Sequence, residues 1–554
     1  MAAQSHHQTR QTQSSQPAQS AQSAQPDPWS GESAREVVVG AGALGPAEVV
    51  AVARHGAPVE LGADAVEAME SSRAVIDALA EDPMPHYGVS TGFGALATTQ
   101  VPVERRVQLQ RSLVRSHAAS SGAPMAVEVV RGLMLNRLAT MATGRTGVRP
   151  EVARRYAALL NAGITPVVGE HGSLGCSGDL APLSHCALAV MGEGEVFDAA
   201  GCRREAADAL AEAGIEPVEL VEKEGLALIN GTDGMLGMLL MALADLERLA
   251  RTADIAAALS IEALHGTDAV FAEDLHQLRP QPGQGESAAN LRRMLADSAL
   301  IQDAKHNGHR HTRVQDAYSM RCAPQVHGAV RATMAHARGV AEHELASAVD
   351  NPVVTVDGRV ESNGNFHGAP VGYVLDFLAV AAADCASMAE RRTDRMLDKN
   401  RSHGLPPFLA DDPGVDSGHM IAQYTQAGIV SEMKRLAAPA SVDSIPSSAM
   451  QEDHVSMGWS AGLKLRRAVE GLEQVLAIEL LTAARGVDMR EQIEGVGSGR
   501  SSTALGAVRA ELRERVAGPD TDRFLAPEIA EAVELVRSGA FLAAAEKGLD
   551  APLA

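Results

Sequence analysis

Apolar residues recur three and four positions apart along most of the chain, the spacing of one helix face, and the second half repeats this over long stretches. VERRVQLQRSLVRSHAAS and AVEVVRGLMLNRLATMATG predict helices in the first half. GMLGMLLMALADLERLARTADIAAALSIEAL predicts a long, largely apolar one. VGYVLDFLAVAAADCASMAERRTDRML keeps Leu375, Leu378 and Ala382 on one face, with most of its charges at the far end. GLKLRRAVEGLEQVLAIELLTAARG aligns Leu465, Val469, Leu472 and Leu476 and is expected to stop at its closing glycine. Strand signals are few and short: a strand, turn and helix in REVVVGAGALGPAEVVAVARHGAPVEL, then GEVFDAAG, then VVTVDGRV with an Asp-Gly turn. No βαβ rhythm and no repeat of fixed period is visible. The expected fold is mainly α, a long central helical bundle with a mixed α/β N-terminal part. Alanine-rich helix faces suit packing within one chain and packing across subunits alike.

Composition narrows the partners. The first 33 residues are rich in Gln, Ser, Ala and Pro and bury too little to offset the entropy of ordering, so a disordered tail is expected there. The remainder divides into an N-terminal domain over residues 34–230 and a helical-bundle domain over 231–554, expected to form one continuous fold. A formal net charge of −22 excludes the basic footprint that nucleic acid needs and disfavours an anionic membrane surface. At 3% aromatic residues, stacking platforms for single strands are not expected either. The five cysteines are scattered without CxxC spacing, which fits a reducing cytoplasm. Nothing at the start reads as a signal peptide. GMLGMLLMALADLERLA meets Asp245, Glu247 and Arg248 well short of the ~20 residues of a membrane span, and reads as a core helix.

Chemistry concentrates in loops. KHNGHRHTR carries His306, His309 and His311, but without HExxH or a carboxylate inside the cluster it is expected to be a polar loop that holds no metal. GSLGCSGDLAPLSH, residues 172–185, places Gly172, Gly175 and Gly178 around Ser177, so the backbone there can fold closely on itself. Three readings of Ser177 stay open on spacing alone: nucleophile, phosphate-binding hydroxyl, or ordinary loop residue. Asp179 stands where a nucleophile elbow needs glycine. Asp179 and His185 keep a Ser/His/Asp hydrolase open, although triad members meet in space rather than in sequence. Phosphate binding is weakened by the missing lysine and by Asp179 at the helix start. Further dense loops are HYGVSTGFG with Tyr87, LINGTDGM with Asn230, VQDAYSMRCAPQ with Gln315, Tyr318 and Arg321, NGNFHGAPVG with Phe366 and His367, and SSAMQEDHVSMG with Glu452 and His454.

YGVSTGFG, SHAAS, GSLGCSGDLAPLSH, NGT, QDAYSMRC, GNFHG and QEDHVSMG stand in the order found in the aromatic amino-acid ammonia-lyases. From about residue 36 to beyond residue 500 the chain resembles that family. The resemblance implies that Cys176, Ser177 and Gly178 cyclise unaided into a 4-methylidene-imidazol-5-one (MIO) ring, with no external cofactor. The Gly178 amide nitrogen would attack the Cys176 carbonyl, two waters would leave, and Ser177 would supply the electrophilic methylene. Cys176 stands where alanine is usual, but the ring uses only that residue's backbone, so cyclisation is still expected.

The resemblance also implies roles for the other loops. Arg321 would hold the substrate carboxylate and Tyr87 would move a proton. Asn230 and Tyr318 would bond the ring or the reacting amine, and Gln315 and Phe366 would line the site. His117, followed by Ala118, and Glu452 match the members that act on histidine, with Glu452 receiving the imidazole N–H or serving as the base. The implied reaction converts L-histidine to trans-urocanate and ammonia. A tyrosine or phenylalanine lyase, an aminomutase, and an inactive homologue are the alternatives. Members are homotetramers whose sites are completed by neighbouring chains. Met450 and Asp233 depart from the usual asparagine and glutamine.

Overall fold

The protein is described here by a computed structural model covering residues 36–92, 99–176, 178–306, 314–495 and 499–554. The N-terminal tail, Ser177, His309, His311 and the side chain of His306 lie outside the described residues.

Four long helices, Asp233–Ala263, Ala323–Leu345, Ala369–Leu397 and Gly458–Ile493, pack on one another to form the bundle, and Met420–Leu436 joins its flank. The faces expected from the apolar spacing are the buried ones: Leu375, Leu378 and Ala382 on one helix, Leu465, Val469, Leu472 and Leu476 on another. The last helix does not stop at Gly486 but runs on to Ile493. A Cβ at Gly486 would stand 3.2 Å from Ala263 Cβ, so this glycine serves close helix packing rather than termination. Ala369–Leu397 is long and apolar enough to cross a membrane by length and composition, but it packs into the bundle along most of its surface. Its outward side leaves Tyr373, Phe377 and Val380 exposed.

The N-terminal part is mixed, as expected, with one correction. Val37–Val39 and Val59–Leu61 pair in parallel on either side of the Pro46–His55 helix, so a single βαβ crossover is present. Three-residue strands carry too few alternations to announce themselves in the sequence. Val353–Val354 and Val360–Glu361 form the hairpin expected around Asp357-Gly358. Glu195–Phe197 lies in a three-stranded sheet with Thr165–Pro166 and Arg203–Glu205. The Val127–Ala142 helix, buried almost all round, crosses Asp233–Ala263 where Gly132 meets Gly237, and so ties the mixed part to the bundle.

Candidate active site

The glycine-rich loop at residues 172–179 is clamped at both ends. Gly175 and Gly178 have φ of +68° and +83°, the left-handed region that glycine enters without a Cβ penalty. A Cβ on Gly178 would lie 2.3 Å from Gly231 N, and the next amide, Asp179 N, donates to Gly231 O at 2.6 Å. At the other end, Gly175 O accepts from Gly368 N at 3.0 Å and from Ser456 Oγ at 2.6 Å. Loops remote in sequence are thereby gathered around Cys176 and Gly178. The Cys176 side chain is buried and its Sγ donates to Glu452 Oε2 at 3.4 Å, while Ser447 Oγ donates to the same oxygen at 2.8 Å. Phe366, two residues before Gly368, is half-buried, and the His367 ring stacks on that of His454 with centroids 5.7 Å apart.

Asp179 anchors the loop electrostatically. It precedes the Leu180–Val190 helix and reads locally as that helix's cap, yet its side chain caps another helix. Asp179 Oδ2 accepts from Gly234 N and Met235 N, each at 2.9 Å, at the start of Asp233–Ala263, and Oδ1 accepts from Ser173 Oγ at 2.8 Å. Burial outweighs these donors and pushes its carboxyl up to about 7.

Asn230 borders the same loop and is almost fully buried. Its Nδ2 donates to Asn351 O at 3.0 Å, while its Oδ1 has no partner among the described residues. A buried amide oxygen left unpaired is costly, so it marks a place for a donor from a ligand. Tyr87 is half-buried, and its neighbour Gly88 packs against Leu226 and Pro352, the residue after Asn351. His117 ends the Arg106–His117 helix, with Nδ1 2.9 Å from Leu113 O. A carbonyl can only accept, so Nδ1 carries a proton toward it and Nε2 is the ring nitrogen left for other partners. Ser120, three residues on, lies against Gly172 and donates its amide to His185 Nε2 at 3.2 Å. Burial holds the His185 imidazole below its ordinary range.

Gln315, Tyr318 and Arg321 lie elsewhere in the same protomer. The Arg321 guanidinium sits 4.6 Å over the Tyr318 ring and donates through Nε to Asp316 O at 2.9 Å. Asp316 Oδ2 in turn accepts from Thr267 N at 2.8 Å, and Met320 lies against Gly266, just past the C-terminal end of Asp233–Ala263. The glycine-rich loop is bound to the other end of that helix. Thirty-one residues at ~1.5 Å each put the two clusters on the order of 45 Å apart. Tyr318 is 70% exposed and Gln315 is exposed as well.

Within one protomer Cys176, Gly178, Asn230 and Glu452 come together at this loop, the segments carrying Tyr87, Phe366 and His117 border it, and Gln315, Tyr318 and Arg321 lie at a distant surface. The left-handed backbone at Gly175 and Gly178, with Gly231 occupying the space of a Cβ on Gly178, fits a five-membered ring built from Cys176, Ser177 and Gly178. Sequence reasoning missed Ser173, Asn351, Gly368 and Ser456 as members of the site. Gly368 and Ser456 act through bonds to the remote Gly175 carbonyl, and Asn351 through a bond from the remote Asn230 side chain, while Ser173 braces the loop locally through Gly175 N and Asp179 Oδ1.

Residues 44–514 match the aromatic amino acid lyase family, and the chain belongs to it. Its sequence is 64% identical to histidine ammonia-lyase of Streptomyces avermitilis over 92% of this chain and 98% of that protein. Among solved structures, histidine ammonia-lyase from Trypanosoma cruzi superposes with a TM-score of 0.84 at 37% identity, covering 93% of this chain and 96% of that one. Tyrosine aminomutase from Streptomyces globisporus superposes with a TM-score of 0.88 at 38% identity, covering 94% and 100%.

Proposed function

We propose that this protein is a carbon–nitrogen lyase that eliminates ammonia from L-histidine to give trans-urocanate. The observation that carries the substrate reading is the Glu452 carboxylate, which meets the Cys176 side chain at the loop where the reacting atoms must sit. A carboxylate there can accept the imidazole N–H of histidine, a hydrogen bond that a phenyl ring cannot supply.

Elimination removes a weakly acidic β-proton and expels a poor leaving group, so it needs an electrophile, a base and fixed counter-charges. Cys176, Ser177 and Gly178 would form the MIO ring, which would supply the electrophile that makes the amine a leaving group. Asn230 Oδ1 accepts an N–H of that amine. Arg321 pairs with the substrate carboxylate through its planar guanidinium. Glu452 and His117 Nε2 hold the imidazole, and Tyr87 or Glu452 takes the β-proton as the carbon–carbon double bond forms.

Arg321 and Tyr318 cannot reach this loop within their own protomer across ~45 Å, so a neighbouring chain supplies them. The protein works as a homotetramer with shared sites. Tyr373, Phe377, Ile421 and Tyr424, all exposed on Ala369–Leu397 and Met420–Leu436, support this assembly, because aromatic patches of this kind mark interfaces. The five free cysteines fit a cytoplasmic setting.

The test is a near-ultraviolet assay on purified protein with L-histidine and no added cofactor. A rising conjugated-product band with matching ammonia is expected. Product from tyrosine or phenylalanine instead of histidine would overturn the substrate reading, and silence with all three would overturn the lyase reading.

A further inference from the structure

Behind Asn230 lies a fully buried ion pair that the reaction does not use. Lys223 Nζ donates to Asp350 Oδ2 at 2.6 Å, and both side chains are sealed from solvent. Asp350 Oδ1 accepts from the next amide, Asn351 N, at 2.7 Å. The Asn351 carbonyl then receives Asn230 Nδ2 at 3.0 Å. The same turn is tied down by Asn363, which donates from Nδ2 to Asp350 O and from its amide to Asn351 Oδ1, each at 3.0 Å. Arg137 adds a bond to Val349 O at 3.2 Å. Pro352 meets Gly88, next to Tyr87.

A buried ion pair is a poor source of stability, since desolvating two charges consumes much of their attraction and apolar replacements often do as well. Its value lies in fixing geometry, and here the fixed object is a single carbonyl. By taking Nδ2 of Asn230, that carbonyl sets which way the amide faces and leaves Oδ1 as the buried acceptor. We propose that Lys223 and Asp350 are positioning residues for the elimination, holding the Asn351 carbonyl so that Asn230 Oδ1 meets the reacting amine. This rests on the placement of Asn230 in the lyase site.

A double-mutant cycle tests it. Lys223→Met and Asp350→Asn are combined so that no lone charge is buried, and the pair is made alone and together with Asn230→Ala. Intact mass reports ring formation, and kcat and KM for L-histidine are measured separately. The paired variant is expected to lose both waters of cyclisation normally and to show kcat reduced ~10-fold with KM changed less than ~3-fold. The triple variant is expected to be no slower than Asn230→Ala alone, because the pair acts only through that residue. Lys223→Arg, which keeps the ion pair, is expected to retain most of the rate. A triple variant whose loss is the product of the two separate losses would overturn the relay, as would a paired variant with unchanged kcat. A silent Asn230→Ala would instead overturn the placement of Asn230 on which the relay rests. If the paired variant does not fold, the same cycle with Lys223→Gln and Asp350→Asn, an amide pair that likewise buries no charge, carries the same two outcomes.

Discussion

Gly178→Ala is the sharpest perturbation of the compressed loop. The added methyl would stand 2.3 Å from Gly231 N and 2.4 Å from Gly231 O, both backbone atoms that no rotamer change can move aside. The residue would also keep φ near +83°, at a cost of ~1–2 kcal/mol for an L side chain. Relief requires Gly231 to retreat, which stretches the 2.6 Å bond from Asp179 N to Gly231 O and forfeits ~1 kcal/mol. Overpacking a tight site adds ~1–3 kcal/mol. Together these come to ~3–6 kcal/mol, which lowers the population of the compressed loop by roughly two to four orders of magnitude. The expected result is a folded protein whose intact mass retains both waters and which releases no ammonia from L-histidine. Gly339→Ala, in a helix with nothing within 4 Å of the new methyl, is the control and should leave mass and rate unchanged. A Gly178→Ala protein that still loses two waters and turns over normally would refute the claim that close approach to Gly231 drives cyclisation.

Three other outcomes follow from the same geometry. Glu452→Gln removes the charge facing the imidazole and should cut kcat/KM for L-histidine by ~10²-fold or more while narrowing its lead over phenylalanine; an unchanged ratio of the two substrates would remove Glu452 from specificity. Asp179 has its carboxyl raised from 3.8 to about 7, so the folded state keeps a proton that the unfolded chain has released between those values. Its contribution to stability is therefore fully present below pH ~4, lost as pH rises toward ~7 and flat above, a total on the order of 4 kcal/mol. Asp179→Asn should flatten the fall in unfolding midpoint between pH 5 and 7, and a slope identical to that of the parent would contradict the assignment. Ser177→Ala and Arg321→Ala proteins, each inactive, should regain roughly a quarter of parental activity when unfolded and reassembled together at equal ratio, because some sites then draw the loop from one chain and the arginine from another. Activity that stays at zero in the mixture would place Arg321 and the loop of one protomer in the same site.

What the sequence discloses follows from how far each interaction reaches along the chain. The bundle helices are readable because burial imposes a 3.6-residue period over thirty positions, as in Gly458–Ile493. Gly486 misleads, since a glycine needed to approach Ala263 looks the same locally as one that ends a helix. Asp179 misleads similarly: beside Leu180 it reads as a cap for the helix that follows, whereas its donors are Gly234 N and Met235 N. The motif loops announce themselves by odd composition, yet nothing local says that Ser456 Oγ bonds a carbonyl 281 residues away. The separation of Arg321 from Glu452 is also invisible in the sequence, because it depends on which end of one long helix each cluster meets.

On the proposed function, these long-range bonds are what would let the loop cyclise without a partner enzyme. A peptide nitrogen is a weak nucleophile and its own chain normally holds it away from the carbonyl two residues back. Here Gly175 O is pinned by Gly368 N and Ser456 Oγ, and Asp179 N is pinned by Gly231 O, so the chain is held on both sides of the proposed ring. Holding two reacting groups at contact distance replaces an encounter that would otherwise have to be paid for in entropy, an effect that reaches ~7–11 kcal/mol in well-oriented systems. The groups that pin the loop belong to the glycine-rich turn before Asp233–Ala263, the start of Ala369–Leu397 and the start of Gly458–Ile493. Those pins are complete only when these bundle helices have docked, which would tie formation of the proposed electrophile to completion of the fold.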